Sequence, residues 1–148
     1  MLRLITIVLS FVFGGHVLAQ QEWVDVPLSD NTWWEQGSGT WQEGDYEIPL
    51  AAGEALEYKV GMNEGAMIVY SWTVEMEDPS LLGVEFHGHT EPVAGAPGTV
   101  MFYKVHSEGR ESGTLRAPFT GIHGWYLNNQ SEQDIVVRLQ VAGFYTEQ

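Results

Sequence analysis

Three histidines sit beside glycines inside aromatic, strand-like runs: His87 and His89 in Phe86-His87-Gly88-His89, and His123 in Gly121-Ile122-His123-Gly124-Trp125-Tyr126. Imidazole is the commonest protein metal ligand, and its unperturbed pKa lies near neutrality. Residues i and i+2 of a strand share a face. Glu85, His87 and His89 therefore form one polar row, opposite Val84 and Phe86. Two imidazoles at that spacing can hold Cu(II) or Zn(II), with Glu85 or His123 completing the shell.

Strand parity argues against a three-histidine site. His123 shares a face with Trp125 and Leu127, which reads as the core side. His87 and His89 read as the outer side. The rings converge only if a bulge intervenes. Otherwise His123 is a buried, hydrogen-bonded histidine, and Gly88 and Gly124 make room for neighbouring rings. His106, near Glu108, reads as an exposed strand-end residue.

Other chemistry is thin. The chain lacks a Gly-x-Ser-x-Gly elbow, a phosphate-cradling glycine loop and a His-Glu-x-x-His helix motif. Glu75, Glu77 and Asp78 could attract calcium, but beside Pro79 they read as a solvated turn. With no cysteine, thiolate catalysis and thiolate metal sites are excluded. The expectation is a non-catalytic chain that needs no cofactor, with Cu(II) or Zn(II) as the metals the imidazole row would suit.

The elements that position these residues follow from the rest of the chain. Arg3, the apolar stretch Leu4 to Phe13 and the exit Val17-Leu18-Ala19 describe a secretory signal peptide over residues 1–19. The alternative is an uncleaved anchor, against which Gly14-Gly15-His16 breaks the apolar run. The chain is expected to be exported, periplasmic or secreted, and to meet a membrane only if the segment stays. The formal charge of −14 disfavours nucleic acid and anionic membranes as partners.

From residue 54 onward, short strands alternate with turn residues, the pattern of an all-β antiparallel sandwich. About seven strands are expected: 56–60, 66–75, 84–89, 100–106, 112–116, 122–128 and 134–145. In the second, Ala66, Ile68, Tyr70, Trp72 and Val74 form the core face; in the last, Ile135, Val137, Leu139 and Val141 line one face. Residues 20–53 hold four of the six tryptophans and read as an extension packed on the sandwich. Within it, Trp33, Trp34 and Trp41 either form an aromatic binding platform or cover an edge strand. Asn129-Gln130-Ser131 fits a glycosylation sequon.

The stretch Phe119 to Asn129, with Tyr70-Ser71-Trp72 and Val84-Glu85-Phe86-His87-Gly88, resembles a family of small bacterial envelope proteins labelled "transmembrane anchor protein". More distantly, the Gly-x-x-x-x-Tyr-x-Asn-Asn ending from Gly121 to Asn129 and the final long strand look like the GOLD-type sandwich of p24 cargo proteins. The resemblance implies a β-sandwich with an interaction role and no established enzyme activity. The chain as a whole is expected to be a GOLD-like or jelly-roll-like sandwich that binds a protein or small ligand in the bacterial envelope. The cleavable start of this chain departs from the anchor label.

Overall fold

The computed structural model describes residues 39–93 and 98–148. The expected signal peptide and the residues Trp33 and Trp34 lie outside them. The described residues form nine strands: β1 Trp41–Leu50, β2 Ala55–Met62, β3 Met67–Val74, β4 Leu82–His89, β5 Val100–His106, β6 Arg110–Arg116, β7 Gly121–Asn129, β8 Ile135–Phe144 and β9 Thr146–Glu147. A short 3₁₀ turn, Pro79–Leu81, precedes β4 and is capped by Asp78. Among the described residues no helix is long and apolar enough to cross a membrane.

The strands make two antiparallel sheets, β1-β8-β3-β6 and β5-β4-β7-β2-β9. Their pairing is nested. Trp41 faces Phe144, Ala55 faces Asn128, Met67 faces Arg116 and Val84 faces His106. The chain is thus one long hairpin, folded so that successive pairs contribute to alternate sheets. Such nesting is the jelly-roll arrangement, within the expected sandwich class.

Side-chain alternation explains which faces meet. Ala66, Ile68, Tyr70, Trp72 and Val74 are buried, as are Ile135, Val137, Leu139 and Val141, matching both expected core faces. Phe86 stands at the centre, stacked on Trp125 at 4.8 Å with Tyr70 and Tyr103 each 5.1 Å away. Such offset and edge contacts add to the stabilisation from burying the rings.

The boundary expected at residue 54 leaves out a strand. β1 pairs with β8 over its full length, so the sandwich includes at least residues 41–50. Trp41 opens this strand, half exposed, with its ring edge-on to Phe144 at 5.4 Å. It belongs to the sandwich rather than to an extension laid upon it. Pro49 is tolerated because β1 is an edge strand.

Polar side chains close both open sides between the sheets. On one side Tyr46 donates to Glu147 at 2.6 Å and lies 3.1 Å from the Tyr145 hydroxyl. Burial, then the Glu147 carboxylate, hold the Tyr46 phenol well above its ordinary pKa, so it stays a neutral donor. On the other side, Glu111 of β6 and His106 of β5 point inward. His106 Nε2 is 2.6 Å from Glu111 Oε2. The contact is of ion-pair length but lacks hydrogen-bond alignment, and His106 Nδ1 has no partner among the described residues. Tyr70 donates to Glu111 Oε1 at 2.8 Å, Lys104 approaches the same oxygen at 3.5 Å, and Trp72 stacks on His106. His106 is therefore an inward-facing side chain, only 8% exposed, and not the exposed residue expected. The cause is its register opposite Val84, an inward position.

Candidate functional site

The three histidines separate as strand parity requires. Along the β4–β7 ladder, Phe86 faces Trp125, His87 faces Gly124 and Gly88 faces His123. This ladder is regular, so His87 and His123 point to opposite sides of the sheet. A bulge does occur, but between β4 and β5: Phe86 pairs with Lys104 and His87 with Phe102, leaving Tyr103 as the extra residue. It alters β5 and leaves the relation of β4 to β7 untouched.

Tyr103 serves the core histidine. Its hydroxyl lies 2.7 Å from His123 Nδ1, and His123 Nε2 lies 3.1 Å from the Phe119 carbonyl. A carbonyl can only accept, so Nε2 carries the proton and Nδ1 accepts from Tyr103. Burial pushes the Tyr103 phenol up to about 12, which keeps it a donor. Both ring nitrogens are committed, and neither has a lone pair left for a metal. Gly88 makes this possible, since a Cβ there would strike both His123 Nδ1 and the Tyr103 hydroxyl. Gly124 has another purpose than room for a ring: its Cβ would meet the Tyr58 carbonyl, so it permits close backbone approach by β2.

Burial lowers the pKa of His123, partly offset by the Phe119 carbonyl and reinforced by the charge of His89. The sign of the linkage follows. Above the free-imidazole value of about 6.5 both folded and unfolded rings are neutral, and stability is unaffected. As pH falls below that value the unfolded chain gains a proton that the folded chain refuses. Stability then falls, by up to about 1.4 kcal/mol per pH unit, until the folded ring is also protonated. We expect the His123 ring to titrate below the free value by NMR. A midpoint at or above about 6.5 would overturn this account.

The outer row is organised differently. His87 Nδ1 lies 3.2 Å from the Glu85 carbonyl, and His87 Nε2 is 3.4 Å from Glu57 Oε1. Glu57 comes from β2 and reaches His87 across β7, where Gly124 presents no side chain. The Glu57 pKa is lowered, first by its hydrogen bond to Lys59 and less by the charges of His87 and His89. His89 stacks against His87 at 6.3 Å, and Phe102 covers His87 at 5.6 Å. Sequence reasoning missed Glu57, because only the sheet brings β2 within reach of β4.

The proposed ligand set of His87, His89, His123 and Glu85 is therefore not assembled. His123 lies in the core, and among the described residues no group of three or more His, Cys, Asp or Glu side chains is placed to hold a metal. What the outer face and the β5 edge offer instead is apolar surface. Four of the seven residues of β5 are exposed and apolar: Val100 (54%), Met101 (44%), Phe102 (54%) and Val105 (65%). The other edges are blunted. β1 carries Glu43, Asp45 and Glu47, and β6 carries Arg110, Glu111 and Arg116. On the remaining side β9 pairs only with Val60 and Gly61 of β2, whose other residues include Glu57 and Lys59.

The sequon residue also has a structural role. Asn129 is fully buried, and its Nδ2 donates to the carbonyls of Leu50, Ala51 and Gln133. Its Oδ1 accepts from Ser131 N and Oγ. A glycan cannot be attached there in the folded state.

No protein-family model and no curated protein matches the chain. Among solved structures it is similar to a de novo designed double-stranded β-helix, at 20% identity over 66% of this chain and 97% of that one, with a TM-score of 0.36. It is also similar to a structure described under "Bacillus endospore appendages form a novel family of disulfide-linked pili", at 12% identity over 80% of this chain and 100% of that one, with a TM-score of 0.40. At these scores neither likeness bears on function.

Proposed function

We propose that this protein is an exported, non-catalytic interaction protein of the bacterial envelope that meets a protein partner through β5 and the outer sheet face beside it. One observation carries the reading: β5 is an edge strand whose exposed side chains are largely apolar, while the other edges are charged or very short. Exposed apolar edges are hazards unless something covers them. Lys104 and the bulge at Tyr103 discourage indiscriminate strand pairing and leave the side chains available. The polar clusters support the non-catalytic part, since Tyr70 and Glu111, and Tyr46 with Tyr145 and Glu147, are engaged in hydrogen bonds.

Photo-crosslinking residues placed at Phe102 or Val105 in the living host are expected to give one discrete adduct. Residues placed at Val69 or Val136, exposed on the other sheet, are not. Equal labelling from both sheets, or none from β5, removes the reading. So does substrate turnover by the pure protein that is lost on mutating a defined residue set.

A further inference from the structure

Beside β5, the outer face of the five-stranded sheet holds a groove of about 290 Å³. Its floor is β4 at Gly83 and Glu85, and the missing side chain of Gly83 leaves room for the Gln130 amide, whose Nε2 would lie 3.0 Å from a Cβ there. Val105 and Ser107 stand on one side and Tyr126 and Asn128 on the other, with Gln130 at the end. In register, Glu85 lies between Val105 and Tyr126.

Glu85 is half-buried, and no cation of the described residues is within ion-pair distance of its carboxylate. Among the described residues the other acid of intermediate exposure, Glu111, contacts Lys104 and His106, and the remaining ion pairs take exposed acids. Lys59 pairs with Glu57, Lys104 with Glu111 and Glu108, and Arg138 with Glu47 and Glu75. Partial burial weakens solvation of a carboxylate, and a cation supplied from outside would restore the loss.

We propose that this groove seats an arginine side chain of the partner that lies along β5. The inference rests on the reading of β5 as the interaction face and adds the chemistry of what enters it. A guanidinium is planar. It can present two parallel N–H donors to Glu85 while lying against the Tyr126 ring. The Asn128 and Gln130 side-chain carbonyls can accept its remaining N–H groups, and Val105 packs on the methylene stem. An ammonium fills the same place with fewer aligned donors. The formal charge of −14 favours approach by a basic segment.

The test is an amide chemical-shift titration of the full chain with acetyl-Val-Arg-Val-amide and its citrulline counterpart, which keeps the shape and loses the charge. The arginine peptide is expected to perturb Gly83, Glu85, Tyr126 and Gln130 and to saturate. The citrulline peptide should bind about ten-fold or more weakly, and Glu85→Gln should weaken the arginine peptide by a similar factor. In Glu85→Gln the two peptides should bind alike. Glu85 points outward, so this variant should keep the wild-type spectrum away from the groove. Equal binding of the two peptides to the wild type, or arginine-dependent shifts centred elsewhere, overturns the proposal; so does the absence of any shift. If crosslinking from β5 succeeds while the peptides fail, the arginine seat falls and the interface reading stands. If the peptides bind while crosslinking fails, the interface reading is what falls.

Discussion

Replacing Asn129 by Asp is expected to destabilise the protein by about 3–5 kcal/mol, the largest effect of any single polar substitution in the fold. The amide Nδ2 faces the carbonyls of Leu50, Ala51 and Gln133, at 2.7–3.4 Å. A carboxylate there sets a negative charge against three acceptors in a site with no exposure to water. The carbonyls also lose their donor, and each unpaired buried polar group costs about 1–3 kcal/mol. Asn129 joins the end of β7 to the loop after β1 and to the turn before β8, so both sheets should loosen. Urea unfolding followed by tryptophan fluorescence measures this. A loss below about 1 kcal/mol would show that the three contacts are dispensable. Ser131→Ala removes the hydroxyl contacts to Asn129 Oδ1 and the Gln133 carbonyl, and the acceptor of the Gln133 N–H, and should cost about 1 kcal/mol.

Glu111→Ala comes second, at about 1–3 kcal/mol, because it removes the acceptor of a part-buried hydroxyl and the carboxylate beside Lys104 and His106. Glu111 takes a hydrogen bond from Tyr70 and contacts His106 and Lys104, with its side chain only 10% exposed. Tyr70 stays protonated, its pKa raised by burial and then by that hydrogen bond, so it remains a donor seeking an acceptor. The variant leaves this hydroxyl without its acceptor between the sheets. Adding His106→Phe should recover part of the loss, since a ring of similar size then stacks on Trp72 with no buried nitrogen left unpaired. Strict additivity of the two substitutions would mean that the residues are not coupled.

Much of the fold was legible because alternation is a local signal. The core faces of β3 and β8 could be read two residues at a time, and parity alone placed His123 on the opposite side from His87. β1 was missed because Glu43, Gly44, Asp45, Glu47 and Pro49 look like a loop. Only Tyr46, Ile48 and Leu50 betray its inward face, and its pairing partner lies far along the chain. His106 was misjudged for a similar reason. Its surroundings are set by Glu111 and Trp72, which reach it through the second sheet. The Glu57–His87 contact depends on the order of strands, which no local pattern reveals. The unpaired Glu85 depends on which carboxylates the scarce cations have already taken.

The nesting of the pairs has a consequence for how the chain reaches its native state. Closing the β4–β5 pair involves a short loop, and once it exists β3 and β6 are already neighbours. Each further pair then closes a small remaining gap instead of a long one, and loop-closure entropy grows only slowly with length. Assembly should therefore zip outward from the middle of the sequence, with β1 and β8 joining last. A chain emerging from its N-terminus cannot seat β1 until residues beyond 135 have appeared. Throughout that wait the inward face of β1, with Ile48 and Leu50, has no partner. Its row of acids would then repel other chains, a protection most needed before the native structure exists.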